Sequence, residues 1–518
     1  MAPSEPRKIA IVGGGLTGIT SFWALQSSCH DVHLFEASPA LGGHMKTWLF
    51  ENRGNQVQVD QELPTFNPEA CPNLVSLLYY LGIPTTAVPF SFGVLDDTSI
   101  FKWHISIVKS ILLCPQILCK LETYRLLLDI VSLRYLGADA LAHPVTDLAS
   151  AQDLADIYLA GKGYSNNFRD RYLTPLLSML WRTNAGRYLS HIPIKALTQS
   201  LNDHQILSTC ETVPRWRRID PGVRYLIEAM IKHLPRENLH LRTKVQEVIR
   251  HSRGKFDLVI SGGKQSHFDD FDHIIFTVDG REILQLLGSR VDAEERDIVR
   301  SLGVARNIAI LHSDKPSTKH NAIPGHNYIM ASRNLRQSEF TPPMSCLRYD
   351  INVLQDVPTS RFGDVLITLN PLSPPHPSFV QGVWEFTEPE PTAESLGAQS
   401  RLPSIQNTRG ISYGFCWTGR GLLEDAITSG LRMAVEDLGA TVPFNIAFHS
   451  EPLASTEILN RRPGIRVHLI KTILQAVRFL VVVLEIMLLL LGRVHTPGSK
   501  VRARFSFIRI LRSSYTLS

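Results

Sequence analysis

Apolar positions first gather at residues 9–12, Ile-Ala-Ile-Val, a short unbroken run that ends in glycines and has the pattern of a strand buried on both faces. A helix is predicted from residue 16 to about 26, and a second strand over 31–36. Residues 239–248 and 256–260 read as β-rich, and 271–278 as a strand running into a turn at Asp279-Gly280. Residues 100–140 are apolar and mostly helical, broken at Pro115 and resumed to Leu136, while 426–438 form an amphipathic run. Near the C-terminus, residues 479–491 are apolar except for Glu485, and the stretch extends upstream to Val467 with Lys471 and Arg478 as its other breaks. Strand and helix signals alternate, so an α/β architecture is predicted.

With 518 residues the chain is too long for a small binding module, and two or three interleaved lobes are expected. Hydrophobic residues at 44% and charged residues at 19% fit a globular enzyme and exclude a disordered chain. The net charge of +5 is unevenly spread. From Arg461 onward there are eleven Lys or Arg against one acid, Glu485, a local balance of +10 that leaves −5 for the 460 residues before it. An acidic body with a basic tail speaks against nucleic acid as a partner and for an anionic membrane surface. Seven cysteines without C-x-x-C spacing form neither a disulfide framework nor a zinc motif, so a reducing compartment is expected. No secretory signal is read at the N-terminus, and with the cysteine usage and the basic tail the cytosolic face of a membrane is the expected location.

Gly13, Gly15 and Gly18 fit G-x-G-x-x-G between the first strand and the first helix. The first allows a tight turn, the second lets backbone approach a pyrophosphate, and the third lets helix pack on strand. Leu16 and Thr17 then lie in the first helical turn, whose amides and positive dipole end are aimed at the phosphates. Glu36 closes the second strand, where an acid accepts hydrogen bonds from ribose hydroxyls. A second glycine pair, Gly42-Gly43, followed by His44, comes six residues later. That spacing resembles the E-x-x-x-x-x-G-G extension of FAD-dependent amine oxidases, phytoene desaturases and their relatives, and implies FAD lying along this segment.

The resemblance continues in an ordered series over roughly residues 8 to 440. Gln58-Val-Asp60, Pro64-Thr-Phe-Asn67, Pro72-Asn73-Leu and Leu81-Gly-Ile-Pro84 resemble the early blocks of the amine-oxidase-like FAD/NAD(P)-binding flavoproteins. Asn202-Asp-His204, Pro214-Arg-Trp216-Arg, Tyr349-Asp-Ile-Asn352 and Thr368-Leu-Asn-Pro371 resemble the later ones, and Trp417-Thr-Gly419-Arg-Gly421-Leu-Leu-Glu424-Asp425 the closing flavin motif. The family implies a Rossmann-type FAD domain built from discontinuous segments (1–95, 231–288 and 405–440), an inserted α+β substrate domain (96–230 and 289–404), and a tail (441–518). It also implies that Val245 meets the adenine through its backbone, and that Gly419, Glu424 and Asp425 approach the flavin; the alternative for the two acids is that they cap their own helix. This chain departs from the family at Glu62, at Asp220-Pro-Gly222 and within G-R-G-L-L-E-D, so a changed substrate or lost activity stays open.

No serine triad, Walker loop or metal motif is present, and no general base is assigned. A solitary His204 reads as a hydrogen-bonded structural residue, and Lys315 and Lys319 sit in a polar loop sequence. The resemblance implies an FAD-dependent oxidoreductase taking a hydride from an apolar, lipid-like, polyene or amine substrate. A flavin-dependent double-bond isomerase and an inactive flavin-binding scaffold are the alternatives. For the tail, an interfacial helix is the first reading, a spanning one the second, and a helix docked on the body the third.

Overall fold

The computed structural model describes residues 5–492 except 62–64, 89, 96–99, 105–109, 113–114, 116–120, 138–153, 183–185, 187–188, 205, 207–215, 262–265, 315–323, 332–344, 415–421 and 448–464. The chain divides into two compact units. The first comprises residues 1–90, 215–325 and 348–450, and the second 91–214, 326–347 and 451–518.

The first unit is organised around five parallel strands: β1 (Lys8–Val12), β2 (Asp31–Phe35), β3 (Leu239–His240), β4 (His273–Phe276) and β5 (Ile411–Tyr413). They lie in the order β3-β2-β1-β4-β5, with Ile9 opposite both Val32 and His273. The sheet is therefore assembled from three distant parts of the sequence. Along β1, Ile9 and Ile11 enter one hydrophobic core while Ala10 and Val12 enter another, which is why the run shows no polar alternation. The first core also takes in α1 (Leu16–Leu25), α2 (Pro72–Tyr80), α3 (Val223–Ile231) and α4 (Leu422–Arg432). The second lies against an antiparallel sheet of Lys244–Arg250, Phe256–Ser261 and His267–Phe271. The predicted β-rich run at 239–248 is thus two strands in two sheets, divided at residues 241–243.

The unit also holds the antiparallel strands Val304–His312, Leu366–Leu369 and Val380–Pro389. Val304–His312 pairs along its length with Val380–Pro389, and Ala293–Ser301 packs on Ala393–Arg401.

The second unit pairs Ser91–Leu95 with Ile100–His104 and with His326–Met330. Its helices include Leu121–Leu136, Ala155–Gly161, Ile194–Asp203 and the tail helix Ile465–Gly492. Most of the predicted helical stretch before Pro115 lies outside the described residues. The tail helix packs on Leu121–Leu136, the arrangement ranked last from sequence. Among the described residues no helix is long and apolar enough to cross a membrane, which corrects the spanning alternative.

Candidate cofactor site

The first unit contains a cavity of about 380 Å³ where β1 turns into α1. Its walls include Gly13, Gly15, Leu16, Thr17, Glu36, Gly42, Gly43, His44 and Val245. Eight residues read from the glycine-rich segments and Val245, implied by the family resemblance, thus line one space, although Val245 is more than 200 positions from the others.

The three fingerprint glycines are required for different reasons. Gly13 has φ +111°, and a Cβ there would fall 2.7 Å from Thr277 Oγ1. Gly18 lies outside the cavity wall, but a Cβ on it would sit 2.1 Å from Gly13 O, so it sets how closely α1 approaches β1. At Gly15 a Cβ would meet nothing within 4 Å, and the backbone angle of −72° is ordinary. The space beside Gly15 is open, and a side chain there would occupy the approach to the helix N-terminus. Gly15 is also the N-cap of α1 and provides no side-chain acceptor, so the first-turn amides remain available to an anion.

Glu36 is held by the turn it serves. Its Oε2 accepts from Gly14 N at 2.7 Å, and its Oε1 accepts from Ser38 N at 2.7 Å and from Ser38 Oγ. A carboxylate has about four acceptor positions, so Oε2 retains room for a hydroxyl donor. Backbone bonds from Glu36 N to His240 O and from Thr243 N to Glu36 O, both 2.9 Å, bring the strand carrying Val245 to the same rim. The second glycine pair closes over the first, since Gly42 N donates to Gly14 O at 2.8 Å and a Cβ on Gly43 would lie 3.0 Å from Gly15 Cα. Gly42 and Gly43 have φ +119° and +58°, which makes glycine the fitting residue at both.

The far wall carries Asp279, Gly280 and Glu282, around a helix start capped by Asp279. Burial pushes the Glu282 carboxyl up, and the neighbouring Asp279 adds to it. Gly14, Thr243, Thr277 and Gly414 also belong to the wall. Spacing did not single out these residues: Thr243, Thr277 and Gly414 follow β3, β4 and β5 from distant sequence, and Gly14 is a variable position of the glycine turn. Only the Asp279-Gly280 turn gave a local signal.

Glu424 is placed elsewhere. Its side chain is buried, with Oε1 accepting from Asn73 N and Oε2 from Leu74 N, each at 2.9 Å. It therefore caps the N-terminus of α2 across the core, and neither it nor Asp425, also buried, is part of the cavity wall. Of the two acids expected near the flavin, Glu424 thus serves the start of α2, and both are buried outside this cavity's wall. Leu423 and Ala426 of α4 face the cavity instead. Gly419, Glu62, Lys315 and Lys319 lie outside the described residues.

Burial and the adjacent Glu424 and Asp425 raise the thiol of Cys71, at the start of α2, well above its ordinary range. His204, in the second unit, is buried with Nδ1 2.8 Å from Ser200 O, and burial lowers its proton affinity, in keeping with a structural residue. Asp257, His267 and Asp269 gather on one hairpin face, a grouping that sequence spacing did not show, and His–Asp contacts of 3.4 and 3.9 Å account for it.

Comparison with known proteins follows the same lines. The family described as flavin containing amine oxidoreductase matches residues 16–316. A carotenoid phi-ring synthase of Chlorobaculum tepidum is 44% identical over 57 residues, 11% of this chain and 9% of that protein. An L-amino-acid oxidase of Bothrops jararacussu is 37% identical over 51 residues, 10% of each. The chain thus matches about a tenth of the length of these curated relatives. Among solved structures, a CLA-producing fatty acid isomerase from P. acnes aligns with TM-score 0.58 at 15% identity, covering 84% of this chain and 99% of that one. Cyclohexylamine oxidase from Brevibacterium oxydans aligns with TM-score 0.55 at 14% identity, covering 83% and 98%. At these identities the structural likeness establishes the fold.

Proposed function

Because the chain belongs to the flavin-containing amine oxidoreductase family, an FAD-dependent group of enzymes, we propose that it oxidises an apolar, lipid-like, polyene or amine substrate by hydride transfer. The observation that carries the cofactor part is the open space at Gly15 between a helix start without a side-chain cap and the Glu36 carboxylate, an arrangement that suits a dinucleotide. The amides of residues 15–18 would hold the pyrophosphate, Glu36 Oε2 a ribose hydroxyl, and the backbone at Val245 the adenine edge. When bound, FAD supplies the hydride acceptor, and the protein contributes orientation, water exclusion and electrostatics. Leu16, Met45, Leu423 and Ala426 provide apolar wall around the helix start.

The second unit holds a cavity of about 260 Å³ whose wall combines Leu133, Leu159, Ile194 and Val482 with Lys162 and Arg478, which leaves both apolar and amine substrates within the reading. The basic tail is read as meeting the cytosolic face of a membrane, and no nucleic acid is invoked.

Anaerobic mixing with candidate lipids, polyenes and amines tests the reading. The expected outcome is bleaching of the flavin absorbance with one oxidised product per flavin. A shifted double bond with the flavin left oxidised would replace the oxidoreductase by an isomerase. No spectral or chemical change across these classes would favour a flavin-binding scaffold.

A further inference from the structure

The tail helix touches the second unit along a narrow stripe. Lys471, Leu474, Arg478, Val481 and Val482 are its least exposed described side chains, and their spacing of three and four places them on one face. Arg478 anchors that face. Its guanidinium lies 3.9 Å from the Tyr164 ring centre, Nη2 donates to Lys162 O at 2.8 Å, and Nη2 stands 3.8 Å from Asp129 Oδ1. Asp129 is fully buried on the Leu121–Leu136 helix and also faces Arg125 at 3.5 Å. A buried carboxylate needs such partners, so the pair fixes which way the tail helix is rotated.

The opposite face has the reverse character. Leu469, Ile473, Leu480, Leu484 and Met487 are each more than half exposed. At 100° per residue these five fall on one stripe turned away from Arg478, over about 27 Å of helix. Phe479, 66% exposed, widens it. A continuous apolar surface of this kind on a folded helix marks an interaction site.

The flanking sequence indicates what covers the stripe. Arg461, Arg462 and Arg466 lie before or at the start of the helix, and Arg493, Lys500, Arg502, Arg504, Arg509 and Arg512 follow it, with Glu485 the only acid from 461 onward. A second copy laid on this face would bring two such basic arms together, whereas an anionic bilayer neutralises them. We propose that the tail helix is an in-plane membrane contact: held to the second unit by Arg478, it lies flat with the Leu469–Met487 stripe in the acyl boundary and the basic flanks on anionic headgroups. The site is a surface of the folded unit, so the helix does not act as a detached anchor.

Flotation of the full chain with sealed vesicles tests this, with flavin absorbance read in every fraction so that membrane binding and cofactor retention are scored separately. The full chain is expected to float with phosphatidylcholine vesicles containing phosphatidylserine. L480E/L484E should reduce the bound fraction at least tenfold without changing flavin content. External protease should cleave both before and after the helix, because both ends stay on one side. The proposal is overturned if L480E/L484E floats like the unaltered chain, if the full chain stays off anionic vesicles, if it self-associates through the stripe instead, or if the segment after residue 492 is protected from protease.

Discussion

Glu36 and Glu424 were both assigned to the cofactor from sequence, and both accept backbone amides in the folded chain, yet the regions around them differ. Glu36 sits within a turn made of its own neighbours, takes its donors from Gly14 and Ser38, and keeps acceptor capacity facing the cavity. Glu424 is buried, and each of its oxygens accepts an amide of the first turn of α2, with Thr428 Oγ1 also donating to Oε1. Asp60 is a third case, with Oδ2 accepting from Val223 N at 3.3 Å at the start of α3. An acid at a helix N-terminus is favourable wherever it occurs, so the motif letter cannot say which helix it serves. What separates a ligand-binding acid from a structural one is whether a cavity remains beside it.

The contrast can be broken most forcefully at Glu424. E424A should destabilise the first unit by about 3 kcal/mol or more, since two charge-assisted bonds are lost and the Asn73 and Leu74 amides stay buried. Urea unfolding would measure it; a stability within experimental error of the parent would show that α2 does not need the cap. Next is E36A, expected to weaken FAD by about 1.5–3 kcal/mol, roughly 10- to 100-fold, with a smaller change in the stability of the flavin-free protein. Flavin titration followed by fluorescence reads the first effect, and an unchanged affinity would remove Glu36 from the ribose site.

A subtler effect is expected at Asp60. Burial raises its carboxyl to about 7, against lowering contributions from the Val223 amide and Arg218. A carboxyl whose folded pKa is raised holds its proton more tightly when folded, so its contribution is fully present below about pH 4 and is lost as pH climbs toward 7. Melting temperature should therefore decline from pH 5 to pH 8 through this group, and D60N should flatten that decline. Equal slopes in the two proteins would show that Asp60 ionises without cost.

These cases also show what sequence could and could not reveal. The Lys8 to Glu36 segment was legible because strand, turn, helix and acid are local, and the Gly42-Gly43 spacing is short enough for the pair to close on Gly14. The service of Glu424 to α2 was not legible because its partner amides lie 351 and 350 positions away, beyond any periodicity. The tail's apolar character was equally plain. Its rotation was not, because that depends on Asp129, which looks like one more polar position in an amphipathic helix until it is seen buried.

The link between Glu424 and the α2 amides also sets a timetable. During synthesis at about 5–20 residues per second, Asn73 emerges roughly 20–70 s before Glu424 exists to cap it. Strand β5 and helix α4 belong to the same late segment. For that interval the nascent dinucleotide fold lacks an edge strand, a core helix and a cap, although its glycine turn is already translated. Flavin capture is then an event of chain completion, and a chain halted short of residue 424 would carry the glycine turn but hold no flavin.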